Sequence, residues 1–68
     1  MTEITKDMLI GDILDENRDL ARFFMAMGMH CLGCPSARGE SVEQACFVHG
    51  VDPDEFVTEI NKYIANNQ

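Results

Sequence analysis

Positive charge is scarce in this sequence: five Lys and Arg stand against twelve Asp and Glu, for a net charge of −7 over 68 residues. A protein that grips phosphates needs a basic face, so neither nucleic acid nor an anionic membrane surface is an expected partner. No apolar run approaches the roughly 20 residues of a membrane span. The first residues, Met1-Thr2-Glu3-Ile4-Thr5-Lys6-Asp7, hold no basic segment followed by an apolar one. No secretory signal is therefore expected, and the cytoplasm is the expected location. Strand-period alternation of useful length, internal repeats, low-complexity tracts and interdomain linkers are missing. So are a phosphate-cradling glycine loop, a Gly-x-Ser-x-Gly elbow and a recognisable pair of catalytic carboxylates.

What remains is one small domain spanning residues 1–68. Its apolar fraction of 46% and charged fraction of 25% are ordinary for a folded protein, so order is expected except in the Asn66-Asn67-Gln68 tail. A domain this short buries only about 60% of the surface its unfolded chain exposes. A disulfide, a metal or a partner would help to hold it.

The periodicity predicts an all-α fold: a compact array of about four short, crossed helices. Ile4 forms an extended lead-in. Leu9, Ile10, Ile13 and Leu14 recur at helical spacing, with Asp7 as the expected cap, Gly11 as a weak point and Asn17 as the stop. A second helix begins near Arg18. Leu20, Phe23, Phe24 and Met27 mark its single apolar face, and Gly28 is placed to end it in a left-handed conformation. Residues 29–40 form a loop in which Pro35 can open a helical turn. Ser41-Val42-Glu43-Gln44 reads as a capping box. The helix it starts carries Val42, Ala45 and Cys46 inward, with His49 as a further candidate, and stops at Gly50. Asp52-Pro53-Asp54-Glu55 starts the last helix, whose stripe is Phe56, Val57, Ile60, Tyr63 and Ile64.

The chemistry lies in the loop between the second and third helices, at Cys31-Leu32-Gly33-Cys34-Pro35. Two thiols at this spacing can close a disulfide or share one metal ion. The cysteine count is three, so an internal disulfide leaves at least one thiol over. All twelve acidic residues lie outside positions 20–39, and that window holds Arg22, His30, Arg38 and the Cys31/Cys34 pair. Burial alone excludes acids from such a stretch. Distance from carboxylates and nearness to cations also favour thiolates. In a redox reading, Cys31 attacks a partner disulfide and Cys34 resolves it, with His30 and Arg38 as accessory groups, and no cofactor is required.

The alternative is a metal module. Cys31, Cys34, Cys46 and His49 follow the spacing C-x2-C-x11-C-x2-H, a donor set for tetrahedral zinc, and the three thiols could serve an iron–sulfur cluster. Against it, Cys46 lies on an apolar helical face where a cysteine is ordinarily core, and His30 competes with His49 as the nitrogen ligand. A third reading is a non-catalytic interaction domain. Met25, Met27 and Met29 beside the thiols serve either as core filling or as an adaptable docking face.

The run Met27-Gly28-Met29-His30-Cys31-Leu32-Gly33-Cys34-Pro35 is followed by Glu40-Ser41-Val42-Glu43-Gln44-Ala45-Cys46 and His49-Gly50-Val51-Asp52. With these segments together, the chain resembles the hybrid-cluster-protein-associated disulfide redox domain family, a small bacterial and archaeal domain formerly of unknown function. The resemblance covers nearly the whole chain. It implies an all-helical fold and a disulfide oxidoreductase role on a partner protein with a disulfide or metal centre, the hybrid cluster protein among them. A weaker similarity runs to the N-terminal cysteine domain of iron–sulfur-cluster repair proteins. Arg18 stands where many relatives are expected to carry proline, which affects the first helix boundary and not the thiols.

Overall fold

The computed structural model describes residues 3–66 and contains five α-helices and one 3-10 turn among them. The helices are α1 (Ile10–Glu16), α2 (Ala21–Met27), α3 (Pro35–Arg38), α4 (Val42–Val48) and α5 (Pro53–Asn66), with the 3-10 turn at Arg18–Leu20. The four expected helices are present, and the turn opened by Pro35 is the fifth. Asn66 closes α5, while Asn67 and Gln68 lie outside the described residues.

Local signals set most helix ends. Asn17 turns extended after α1, and its side chain accepts the Asp19 N–H at 3.1 Å, so the expected second helix starts as a 3-10 turn. Gly28 ends α2 at φ +119°. There the Met29 N–H donates to the Phe24 carbonyl and the Gly28 N–H to the Met25 carbonyl, the pairing of a Schellman motif. Ser41 and Gln44 form the reciprocal capping box, with bonds of 3.1 and 2.9 Å. The Asp52 carboxylate accepts the Asp54 N–H at 2.9 Å at the start of α5.

The first helix departs from expectation. Asp7 does not cap it; Leu9 takes the cap position, and no side chain bonds there. The free donors are satisfied across the fold instead. The Ile10 N–H reaches the Glu40 carbonyl at 2.9 Å, while the Val42 and Glu43 N–H groups reach the Met8 and Lys6 carbonyls. The starts of α1 and α4 thus tie each other down through an isolated antiparallel bridge, Leu9 to Ser41. That bridge turns Leu9 outward, 42% exposed, although its spacing places it on the apolar stripe.

One core joins all the elements. Ile4, Ile10, Ile13, Leu20, Phe24, Val42, Cys46 and Ile60 are almost wholly buried. The Phe24 and Phe56 rings lie 5.3 Å apart, and Phe23 meets Tyr63 edge-on at the same distance. Ile4 is held by a side chain far along the sequence. Asn61 Oδ1 accepts the Ile4 N–H at 2.8 Å, and Asn61 Nδ2 donates to the Ile4 carbonyl at 3.0 Å. The Asn61 amide replaces a strand partner for the lead-in. Of the three methionines near the thiols, Met29 is buried, Met27 packs against the core and Met25 is exposed. Among the described residues, no helix is long and apolar enough to cross a membrane.

Candidate functional site: the Cys31–Cys34 loop

Two local devices fix the ends of the thiol loop. The Schellman motif at Gly28 turns the chain out of α2 and buries Met29, which leaves His30 and Cys31 exposed. At the other end Cys34 occupies the cap position of α3, and Pro35 is its first residue. The Arg38 N–H returns to the Cys34 carbonyl at 3.0 Å. Between these anchors Leu32 and Gly33 make a turn, and the Sγ atoms of Cys31 and Cys34 are joined in a disulfide with the Cα atoms 5.7 Å apart. That separation lies in the usual range for a disulfide. Cys31 is exposed and Cys34 half-buried.

The disulfide borders a shallow hollow of about 300 Å³ that is also lined by His30, Glu40 and His49. His49 reaches it from the end of α4. Its Nδ1 lies 3.2 Å from where a Cβ on Gly28 would stand, so the glycine makes room for the imidazole as well as for the positive φ. The spacing motif paired His49 with Cys46. The fold separates them: His49 is exposed beside the disulfide, and Cys46 is wholly buried. Burial pushes the Cys46 thiol pKa up, and the nearby Asp52 carboxylate adds to the rise. Cys46 is therefore a neutral core thiol. No group of three or more His, Cys, Asp or Glu among the described residues is placed to hold a metal ion.

Arg38 points elsewhere. Its Nη2 donates to Asp15 Oδ2 at 2.7 Å and to the Gly11 carbonyl at 3.3 Å. It lines a separate cavity of about 470 Å³ with Arg18, Asp15, Leu32 and Gly33, across the loop from the hollow that Cys31 and Cys34 border. Its visible work is to fasten α3 to α1. Sequence reasoning did not find Glu40, the first residue past the acid-free window, as part of the hollow. Nothing in the spacing marks it, because the mutual tie between α1 and α4 brings it there.

Chemically, the arrangement offers an accessible disulfide flanked by two imidazoles, on a loop outside the core. Residues 4–57 match the family described as "Domain of unknown function (DUF1858)". The chain is also similar to the NMR solution structure of a protein from Clostridium thermocellum, a structural genomics target. The two are 54% identical over 96% of this chain and 93% of that one, with a TM-score of 0.79. No curated protein matches the chain.

Proposed function

For this chain, which belongs to the family described as domain of unknown function DUF1858, we propose thiol–disulfide exchange with a partner protein through Cys31 and Cys34. The observation that carries the reading is a Cys-x-x-Cys disulfide that borders an open hollow, with Cys31 exposed, rather than being sealed in the core. In the oxidised form, a partner thiolate attacks Cys31 Sγ, and the Cys34 sulfur leaves as a thiolate. A second partner thiol then attacks the partner's own sulfur in the mixed disulfide and releases Cys31. Two electrons and two protons pass from the partner dithiol to the domain. In reverse, the Cys31 thiolate attacks a partner disulfide and Cys34 resolves. His30 and His49 serve as the groups that take or return the proton. The hybrid cluster protein is the partner that the family resemblance implies, and the cytoplasm is the expected compartment.

The test is equilibration with a glutathione couple. The wild-type domain should titrate as one dithiol–disulfide pair, and Cys31→Ser should abolish it. Cys34→Ser should accumulate mixed disulfides through Cys31. If those adducts form only on Cys34 in the Cys31→Ser variant, the roles are reversed. A Cys31–Cys34 bond that no thiol reduces in the folded protein sinks the reading.

A second reading rests on His49, which borders the same hollow as Cys31 and Cys34. Reduction would free two thiols on the hollow that His49 also lines, and thiolate and imidazole are donors of the kind that suit zinc. Metal analysis of protein purified without oxygen decides it: stoichiometric zinc or iron that dissociates on oxidation supports the reading, and metal-free reduced protein ends it.

A further inference from the structure

Two of the most exposed apolar side chains in the described chain sit together at the end of α4: Phe47 is 86% exposed and Val48 72%. Isolated surface apolar groups need no explanation, but these two line one hollow of about 470 Å³ with Glu40, Glu43 and Gln44. Glu40 also lines the hollow over the disulfide, and His49, which follows Val48, lies there too. The apolar surface and the disulfide are therefore neighbours with a shared wall. The charged groups of the apolar hollow are both carboxylates. A second copy of this chain is a poor occupant, because each copy carries a net charge of −7.

We propose that Phe47 and Val48 form the docking face for the protein whose sulfur exchanges with Cys31. The docked segment carries a large apolar side chain and Lys or Arg close to its reactive cysteine. The proposal rests on the exchange reading and names the partner's chemistry at that site. The apolar side chain fills the hollow beside Phe47, and the basic groups meet Glu40 and Glu43. Attraction between basic segment and acidic rim speeds encounter more than it deepens affinity. The reaction is the exchange already balanced above, with the partner's dithiol as reductant.

The test uses three short single-cysteine peptides: one with Phe and flanking Lys, one with Phe and flanking Glu, one with Ser and flanking Lys. The rate at which each opens the Cys31–Cys34 disulfide is divided by its rate with hydroxyethyl disulfide, which removes differences in intrinsic thiol reactivity. The Phe/Lys peptide should exceed each of the others about tenfold at low salt, with the charge preference shrinking in high salt. Phe47→Ala/Val48→Ala should lower the normalised rate for that peptide about fivefold while the Ser/Lys peptide changes little.

If glutathione opens the disulfide but the peptides do not differ, or the double variant keeps the full preference, the docking face is refuted and exchange stands. If neither glutathione nor any peptide opens it, exchange fails and this proposal with it. A dimer in sedimentation that the double variant abolishes would make the patch a contact between copies and overturn the assignment.

Discussion

Replacing Gly11 by alanine should destabilise the domain, although α1 is a helix and alanine favours helix over glycine by about 1 kcal/mol. The opposing effect is steric. A Cβ at Gly11 would stand 3.0 Å from Arg38 Cβ and 3.1 Å from the Arg38 carbonyl oxygen. Carbon atoms prefer roughly 3.5–4.0 Å, so α3 must give way by a few tenths of an ångström. The backbone of α3 cannot rotate aside as a flexible side-chain tip can. Withdrawal strains the Arg38 bonds to Asp15 and the Gly11 carbonyl and loosens the buried Ala37. Overpacking of this kind costs about 1–3 kcal/mol. Set against the propensity gain, the net loss is about 1 kcal/mol, which lowers Tm by about 4–8 °C in a domain of this size. Thermal unfolding of the oxidised protein, followed by circular dichroism, reads it. Gly33→Ala is the control: nothing lies within 4 Å of its added Cβ, and Tm should hold. A Gly11→Ala variant as stable as the parent, or more so, would refute the idea that α1 and α3 are in backbone-limited contact.

The Asn61 amide makes two bonds to the Ile4 backbone, so Asn61→Ala should cost about 1–3 kcal/mol in urea unfolding. Asn61→Asp keeps an acceptor but loses the donor, and should lie between the two. Cys46 should react with a disulfide reagent far more slowly than the reduced Cys31/Cys34 pair, so a native thiol count gives two fast groups and one slow. Its folded pKa is raised, so it stabilises the fold fully below the unfolded thiol value near about 8.5 and loses that contribution as pH rises towards the folded value. Cys46→Ala should therefore flatten the decline of stability at alkaline pH. Reducing the Cys31–Cys34 ring, closed over a separation of three residues, should cost about 2 kcal/mol, with the helical signal retained at room temperature.

Where structure depends on neighbours in the chain, the sequence was readable. Gly28, Ser41 with Gln44, and Asp52 with Pro53 each act through backbone groups within a few residues, and each ends or starts a helix as its residue type requires. The all-α class and the Phe56/Ile60/Ile64 stripe follow in the same way. The start of α1 was not readable, because the Ile10 N–H is met by the Glu40 carbonyl from beyond the thiol loop. Asp7 looked like a cap only because local logic has no view of Glu40. The hold on Ile4 comes from 57 residues away. Cys46 and His49 differ in their surroundings in a way that spacing alone does not show. Spacing of three puts both on one side of a helix, but the helix stops at Val48. His49 caps its end and is exposed, while Cys46 is buried in the core with Val42 and Ala45.

The burial of Cys46 bears directly on the proposed exchange, in which a three-thiol chain would use two of its thiols. A third accessible thiolate would compete for the mixed disulfide and scramble the pair. Cys46 is kept out by burial, which also raises its pKa, with Asp52 adding to the rise. The loop, in turn, is kept out of the core: only Met29 and Ala37 near it are buried, and they belong to its anchors. Opening the disulfide removes a constraint worth about 2 kcal/mol, against the 5–15 kcal/mol typical of whole domains. The anchors do not depend on it. The Schellman bonds at Gly28, the Pro35 turn and the Arg38 tie to α1 involve no sulfur. The loop that places the two cysteine Cα atoms 5.7 Å apart is thus anchored by bonds that do not run through the disulfide. The proposed exchange cycle needs such a scaffold.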